Sequence, residues 1–103
     1  MRFTIQWTLP DVGNDPEYSK LVTAAVVGYI DQGCPMDEFE GFKILERVHY
    51  PGIGGMQIVE AESMAHVYTF TAPWGKNFGM IIEVLPALTD EQIVNVEKTL
   101  AES

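Results

Sequence analysis

The chain has 103 residues, 47% of them hydrophobic, and its 15 acidic against 6 basic side chains leave a formal charge of −9. That length holds one domain around one core, read as residues 1–103, and the apolar content is that of a globular rather than a disordered chain. The charge disfavours nucleic acid and anionic lipid as partners, no apolar run reaches the roughly 20 residues that span a bilayer, and the opening MRFTIQWTL lacks the apolar core and cleavage signal of a secretory leader, so a soluble, cytoplasmic protein is expected.

Residues Arg2 to Thr8 alternate, with Phe3, Ile5 and Trp7 on one side and Arg2, Thr4, Gln6 and Thr8 on the other, which is the period of a half-buried strand. The stretch from Pro10 to Pro16 reads as a loop that starts a helix. Asp15 stands at the cap, Pro16 at the first helical position and Glu17 near the positive end. The helix is predicted from Pro16 to about Gln32, with Leu21, Ala24, Ala25 and Gly28 lying close against a sheet and Gly33 ending it.

Cys34 is the single cysteine, which excludes an internal disulfide, and the acidic loop around it does not favour a reactive thiolate. Asp37, Glu38 and Glu40 read as a solvated loop. Phe42 to His49 then alternates, with Phe42, Ile44 and Val48 opposite Lys43, Leu45, Arg47 and His49; Glu46 is a misfit on the apolar side.

The run Gly52-Ile53-Gly54-Gly55 poses a choice between a phosphate-cradling loop and a tight turn. A phosphate loop delivers its backbone N–H groups at the start of a helix. Here a strand follows, Met56 to Glu60, with Met56 and Ile58 opposite Gln57 and Val59, so Pro51 to Gly55 is predicted to turn between two antiparallel strands.

Met64, Val67, Tyr68 and Thr71 recur at helical spacing within Ala61 to Ala72, and Pro73 is expected to stop that helix. Phe78, Met80, Ile82 and Val84 alternate with Ile81, Glu83 and Leu85 as a fourth strand ended by Pro86. Thr89 and Gln92 form a capping-box pattern for a last helix lined by Ile93, Val96 and Leu100.

The order β-α-β-β-α-β plus a helix predicts an α+β fold of the ferredoxin-like plan, two helices covering one face of a four-stranded antiparallel sheet. The other face would carry Thr4, Gln6, Thr8, Arg47, His49, Gln57, Val59, Ile81, Glu83 and Leu85, too apolar for bare solvent and too polar for a core. A chain this short gains buried surface by pairing, so a homodimer is expected.

Ile5-Gln6-Trp7-Thr8, Leu45 through His49, Gly54-Gly55 leading to Val59-Glu60-Ala61, Trp74 and Glu83-Val84-Leu85-Pro86 together resemble a bacterial family of short proteins, catalogued as a domain of unknown function, within the dimeric alpha-beta barrel superfamily. The resemblance spans nearly the whole chain. It implies that two copies face their open sheets together as a barrel with helices outside. Gln6 stands where that family often has an acid, and Val48 where an aromatic is common. The superfamily includes cofactor-independent monooxygenases, haem-degrading enzymes and isomerases, so fold alone does not assign function. A haem-degrading arrangement requires a histidine downstream of its tryptophan, whereas His66 precedes Trp74.

The candidate ligand-binding residues are therefore Gln6, Arg47, His49, Trp74 and Glu83, lining an inter-sheet pocket for a small, partly apolar organic molecule. His49 and Glu83 are the candidate catalytic groups if the protein is a cofactor-free oxygenase or isomerase, with Arg47 or Gln6 steadying developing negative charge. A carboxylate in the apolar run around Glu83 needs a partner, and Arg47 is the candidate for a structural pair. Two histidines and one cysteine without ligand-like spacing point to no metal site and no cofactor. A purely structural or interaction module with a filled barrel is the remaining reading.

Overall fold

The computed structural model describes residues 1–10 and 15–102, so the part of the predicted Pro10–Pro16 loop at 11–14 lies outside the described residues. Strand β1, Arg2–Thr8, forms where the alternation predicts it. Helix α1, Pro16–Asp31, starts as its sequence dictates: the Asp15 carboxylate accepts from the Glu17 and Tyr18 N–H groups, and Pro16 occupies the first turn, where its missing N–H costs nothing. A two-residue strand β2, Glu38–Phe39, follows, then β3, Phe42–Tyr50, and β4, Gly54–Ala61. Helix α2, Met64–Phe78, strand β5, Ile81–Ala87, and helix α3, Asp90–Ala101, complete the described chain.

The fold is α+β, and its sheet has five antiparallel strands in the order β2-β3-β4-β1-β5, one more than the four expected. The added strand is β2, which occupies the acidic stretch read as a loop and pairs Phe39 with Phe42. Its Phe39 ring stacks on Phe42 with centroids 4.8 Å apart, and Phe42 stacks in turn on Phe70 of α2. Two residues suffice as a strand here because they extend an aromatic stack, not because they alternate.

Helix α2 departs from its predicted limits at both ends. Ala61 is the last, buried residue of β4, opposite Phe42, and Pro73 lies inside the helix instead of ending it. An interior proline costs about 3 kcal/mol through a lost hydrogen bond. The turn beyond it offsets that cost by placing Trp74 and Phe78 in ring contact and setting the Phe78 carbonyl to accept from the Tyr18 hydroxyl at 2.8 Å. Gly79, at φ 66°, ends the helix. Phe78 therefore belongs to α2, and β5 starts at Ile81. Pro86 lies within β5, which tolerates a proline because it is an edge strand.

One face of the sheet meets the helices. Phe3, Ile5, Phe42, Val59 and Ala61 are buried there with Val67 and Phe70 of α2. Val59 and Gln57, both buried beneath the helices, correct the expectation that they lie on the second face; Met56, Ile58 and Glu60 are the β4 residues with side chains on that open face. The inward line of α1 is Val22, Val26 and Tyr29, at helical spacing. Its small residues Ala24, Ala25 and Gly28 line a groove with Pro73 and Trp74 of α2 instead of lying against the sheet.

Within Gly52-Ile53-Gly54-Gly55 the glycines have separate tasks. Gly52 takes positive φ, 75°, in the turn. Gly55 is extended within β4, where an added Cβ would run into the Trp7 ring and the Val48 carbonyl oxygen, so only glycine lets these strands and that ring come together.

Candidate functional site

The geometry of the site is set by one irregularity. Ile44 pairs with Val59 and Glu46 with Ile58, so Leu45 is an extra residue in β3, a bulge. Because side chains alternate with a period of two, the extra residue exchanges the faces of everything after it. Phe42 and Ile44 face the helices; beyond the bulge, Glu46 and Val48 turn to the open face while Arg47 and His49 turn inward, opposite Gln57 and Gly55. The misfit of Glu46 disappears, and Arg47 and His49 are brought beneath the helices.

The five expected ligand-binding residues are therefore divided. Arg47, His49 and Trp74 line one cleft between the sheet and helices α1 and α2. Gln6 and Glu83 pair directly across β1 and β5 on the opposite, open face, where both are exposed. The expected pair of Arg47 with Glu83 does not form, because the sheet lies between them. Arg47 instead meets Asp37 at 2.6 Å, donating from its terminal nitrogen.

Arg47 is the hub of a cluster that sequence reasoning missed. Its Nε donates to Gln57 Oε1 at 3.0 Å, its other terminal nitrogen contacts Cys34 Sγ at 3.6 Å, and its guanidinium carbon lies 5.8 Å from the centre of the Tyr29 ring. Tyr29 in turn donates its hydroxyl to the same Asp37 oxygen at 2.6 Å and accepts from the Met36 N–H at 3.1 Å. These bonds fasten the segment after α1 to the sheet through the end of the helix itself.

The electrostatics follow from that geometry. Burial opposes the charged form of Arg47, but its hydrogen bond and ion pair with Asp37 outweigh this and leave the pKa raised. Burial first, and the bond to Asp37 second, push the Tyr29 hydroxyl well above the usual tyrosine range. Arg47 is thus charged and fully engaged, and is not a free cation for an anionic ligand. Asp37 lay in a charge run read as solvated; nothing in a run of acids reveals that one member will meet an arginine ten residues on. Gln57 carried more signal, being a polar residue set between Met56 and Ile58 in the apolar middle of its strand.

The cleft itself is mostly apolar. It encloses about 520 Å³ of empty space, counting the part open to solvent, and little of it is wide enough for a water-sized sphere. Ile5, Phe70 and Ile82 supply apolar wall, and Trp74 meets Tyr29 edge to face at 5.3 Å. At one end His49 touches the Trp7 ring, 5.6 Å between centroids and 79° between planes. The His49 imidazole makes no hydrogen bond or ion pair among the described residues, and the Gln57 amide nitrogen is likewise unengaged there. The polar groups offered to a guest are thus an imidazole and an amide at the edge of an apolar slot.

His66 is structural. Its Nδ1 lies 2.8 Å from Ser63 Oγ, and its ring fills the space beside Gly41. Among the described residues no three metal-binding side chains converge. No helix among them is long and apolar enough to cross a membrane.

A family model described as a domain of unknown function, DUF3303, matches residues 1–101. No curated protein and no solved structure matches the chain.

Proposed function

The chain belongs to the DUF3303 family, a domain of unknown function; since membership brings no activity with it, we propose from the geometry that the protein binds a small, largely apolar organic molecule in the cleft between its sheet and helices. The carrying observation is the apolar slot beneath α1 and α2, with an unengaged imidazole and amide at its edge. Pockets for small organic ligands have this make-up, apolar walls with a few polar groups that fix orientation. Because Arg47 is held by Asp37, a neutral guest with one hydrogen-bonding end fits better than a carboxylate.

The protein works as a homodimer of ferredoxin-like domains in this reading. The four longer strands have the order of that plan, and the open face leaves Ile81 and Leu85 at 62% and 54% exposure among the described residues. Sheet-to-sheet pairing would cover them and enclose Gln6 and Glu83. An enzymatic role is the second reading, favoured only by His49, an imidazole free to move a proton at the cleft.

Native mass spectrometry of the gently purified protein tests the binding reading. A retained small molecule should be lost with Trp74→Ala and kept with Glu83→Gln. The opposite pattern would move the ligand to the space between sheets, and no added mass, together with no change in tryptophan fluorescence across a panel of small neutral aromatics, would end the proposal.

A further inference from the structure

Helix α3 is the element the rest of the molecule does not explain. Its start is strongly specified: the Thr89 hydroxyl accepts from the Gln92 N–H at 3.2 Å, the Gln92 side chain accepts from the Thr89 N–H at 2.9 Å, and Asp90 and Glu91 stand at the positive end. Yet none of its twelve residues is buried. A lone helix of that length is marginal in water, whatever its caps. Ile93, Val96 and Leu100 recur at a spacing that puts them on one stripe, with Asn95 and Lys98 turned away from it. Leu100 is 61% exposed.

The outline of the molecule agrees. Its radius of gyration is 16.3 Å and its longest extent 58 Å, against about 13 Å for the radius of a compact domain of this size. A helix that buries nothing and follows an edge strand accounts for the excess.

We infer that α3 is an arm that docks on a second copy of this chain, the two arms exchanged about a two-fold axis; this rests on the homodimer reading above and extends it. The occupant follows from area and from self-sufficiency. The exposed apolar side chains of the open face, Ile81, Leu85, Val48 and Tyr50, amount to on the order of 400 Å², half of what one partner brings to a standard interface. Leu88 and the apolar side chains of α3 supply about as much again, which completes it. One chain thus carries an uncovered sheet face and an uncovered helix stripe. Two copies satisfy both without a foreign partner, and an isologous contact does so twice.

Sedimentation velocity of the full-length chain across a micromolar dilution series, with Ile93→Glu/Leu100→Glu and Asn95→Glu alongside, tests the arm. The expected result is a wild-type dimer, a dissociation constant raised at least 100-fold by the double substitution, and no change with Asn95→Glu on the opposite side of the helix. Circular dichroism checks folding, and Leu100→Glu alone, expected to weaken the dimer at least tenfold, replaces the double variant if that fails to fold. A dimer unmoved by the stripe substitutions overturns the arm and leaves the sheet pairing standing. Equal weakening by Asn95→Glu also overturns it, because added charge and not the stripe would then be responsible. A monomeric wild type overturns the homodimer reading and the arm with it.

Discussion

The two faces of this sheet are built from the same strands and alternate residue by residue, yet they follow different rules. The covered face holds Phe3, Ile5, Phe42 and Val59 against α2, and its charged residue is fully partnered: Arg47 bonds Gln57 and Asp37, while the His49 imidazole, unpaired among the described residues, stands at the exposed end of the face. The open face sets Ile81 and Leu85 beside Gln6 and Glu83, and its chief polar link is Arg2 to Glu60 at 2.9 Å, near solvent. A polar group under helices must find a partner or destabilise the fold, whereas one facing water or a wet interface need not. The cleft lies on the strict face and the proposed dimer contact on the permissive one. Composition alone does not separate the two faces; the Leu45 bulge does.

The sharpest way to break that difference is to delete Leu45. Without the extra residue β3 cannot keep Phe42 and Ile44 inward together with Arg47 and His49, so one pair must move to the wrong face. The expected loss is more than about 4 kcal/mol, enough to unfold a marginal domain, read by urea titration. A deletion variant of near-native stability would mean that the bulge does not set the faces.

Arg47→Met comes next. It keeps the bulk of the side chain but leaves Gln57 and Asp37 without their shared donor in a site where the Arg47 side chain is only 17% exposed. Breaking a fully buried pair costs more, but the partial exposure of both partners reduces the expected loss to about 1–3 kcal/mol. A shift of the urea midpoint with unchanged slope is the readout. The same change to Glu83 on the open face should leave the midpoint of the isolated subunit in place.

Tyr29→Phe is a smaller test of the same cluster. Because burial and Asp37 raise the Tyr29 pKa above its usual 10.0, the folded chain retains a proton that the unfolded chain has released. The stabilisation is fully present below about pH 10 and is lost as pH rises toward the raised folded value. Tyr29→Phe should cost about 1 kcal/mol at neutral pH through the lost hydrogen bond and should flatten the alkaline decline. Tyr18, raised by burial alone, leaves a residual slope. Parallel alkaline profiles for wild type and variant would show that Tyr29 ionises outside the cluster.

How much of this was legible in the sequence depends on range. The limits of β1, the Asp15 cap and the Thr89/Gln92 capping box follow from interactions within a few residues, and the sequence displays them directly. The bulge is not local in that sense: it is defined by which β4 residue lies opposite, and only the discord of Glu46 hinted at it. Everything derived by carrying the alternation through Leu45 was displaced to the wrong face, Arg47 and His49 with it. The β4 assignment failed for a related reason, since Met56, Ile58 and Val59 are all apolar and alternation cannot say which set is inward. Helix α2 was cut short because a proline penalty of about 3 kcal/mol is visible in sequence, while the ring contact of Trp74 with Phe78 and the Tyr18 bond to the Phe78 carbonyl that offset it are not. Strand β2 is too short to have a period at all.

Among the losses of an apolar side chain, the smallest effect expected on the subunit itself is that of Leu85→Ser, and its smallness is what makes it informative. Leu85 is a large apolar side chain in the middle of a strand, opposite Thr4, and on the covered face its loss would cost several kcal/mol. Here it is 54% exposed within one chain, so little apolar contact is lost, and unfolding at protein concentrations low enough to keep the chain monomeric should change by less than about 0.5 kcal/mol. At high concentration the outcome should differ, with the dimer weakened about 100-fold, because a two-fold contact loses the side chain from both subunits and each is worth on the order of 1–2 kcal/mol. A large loss in the monomer would instead mean that this face is covered from within the same chain. The concentration dependence of one substitution thus separates a sheet face that needs a second copy from one that only tolerates water.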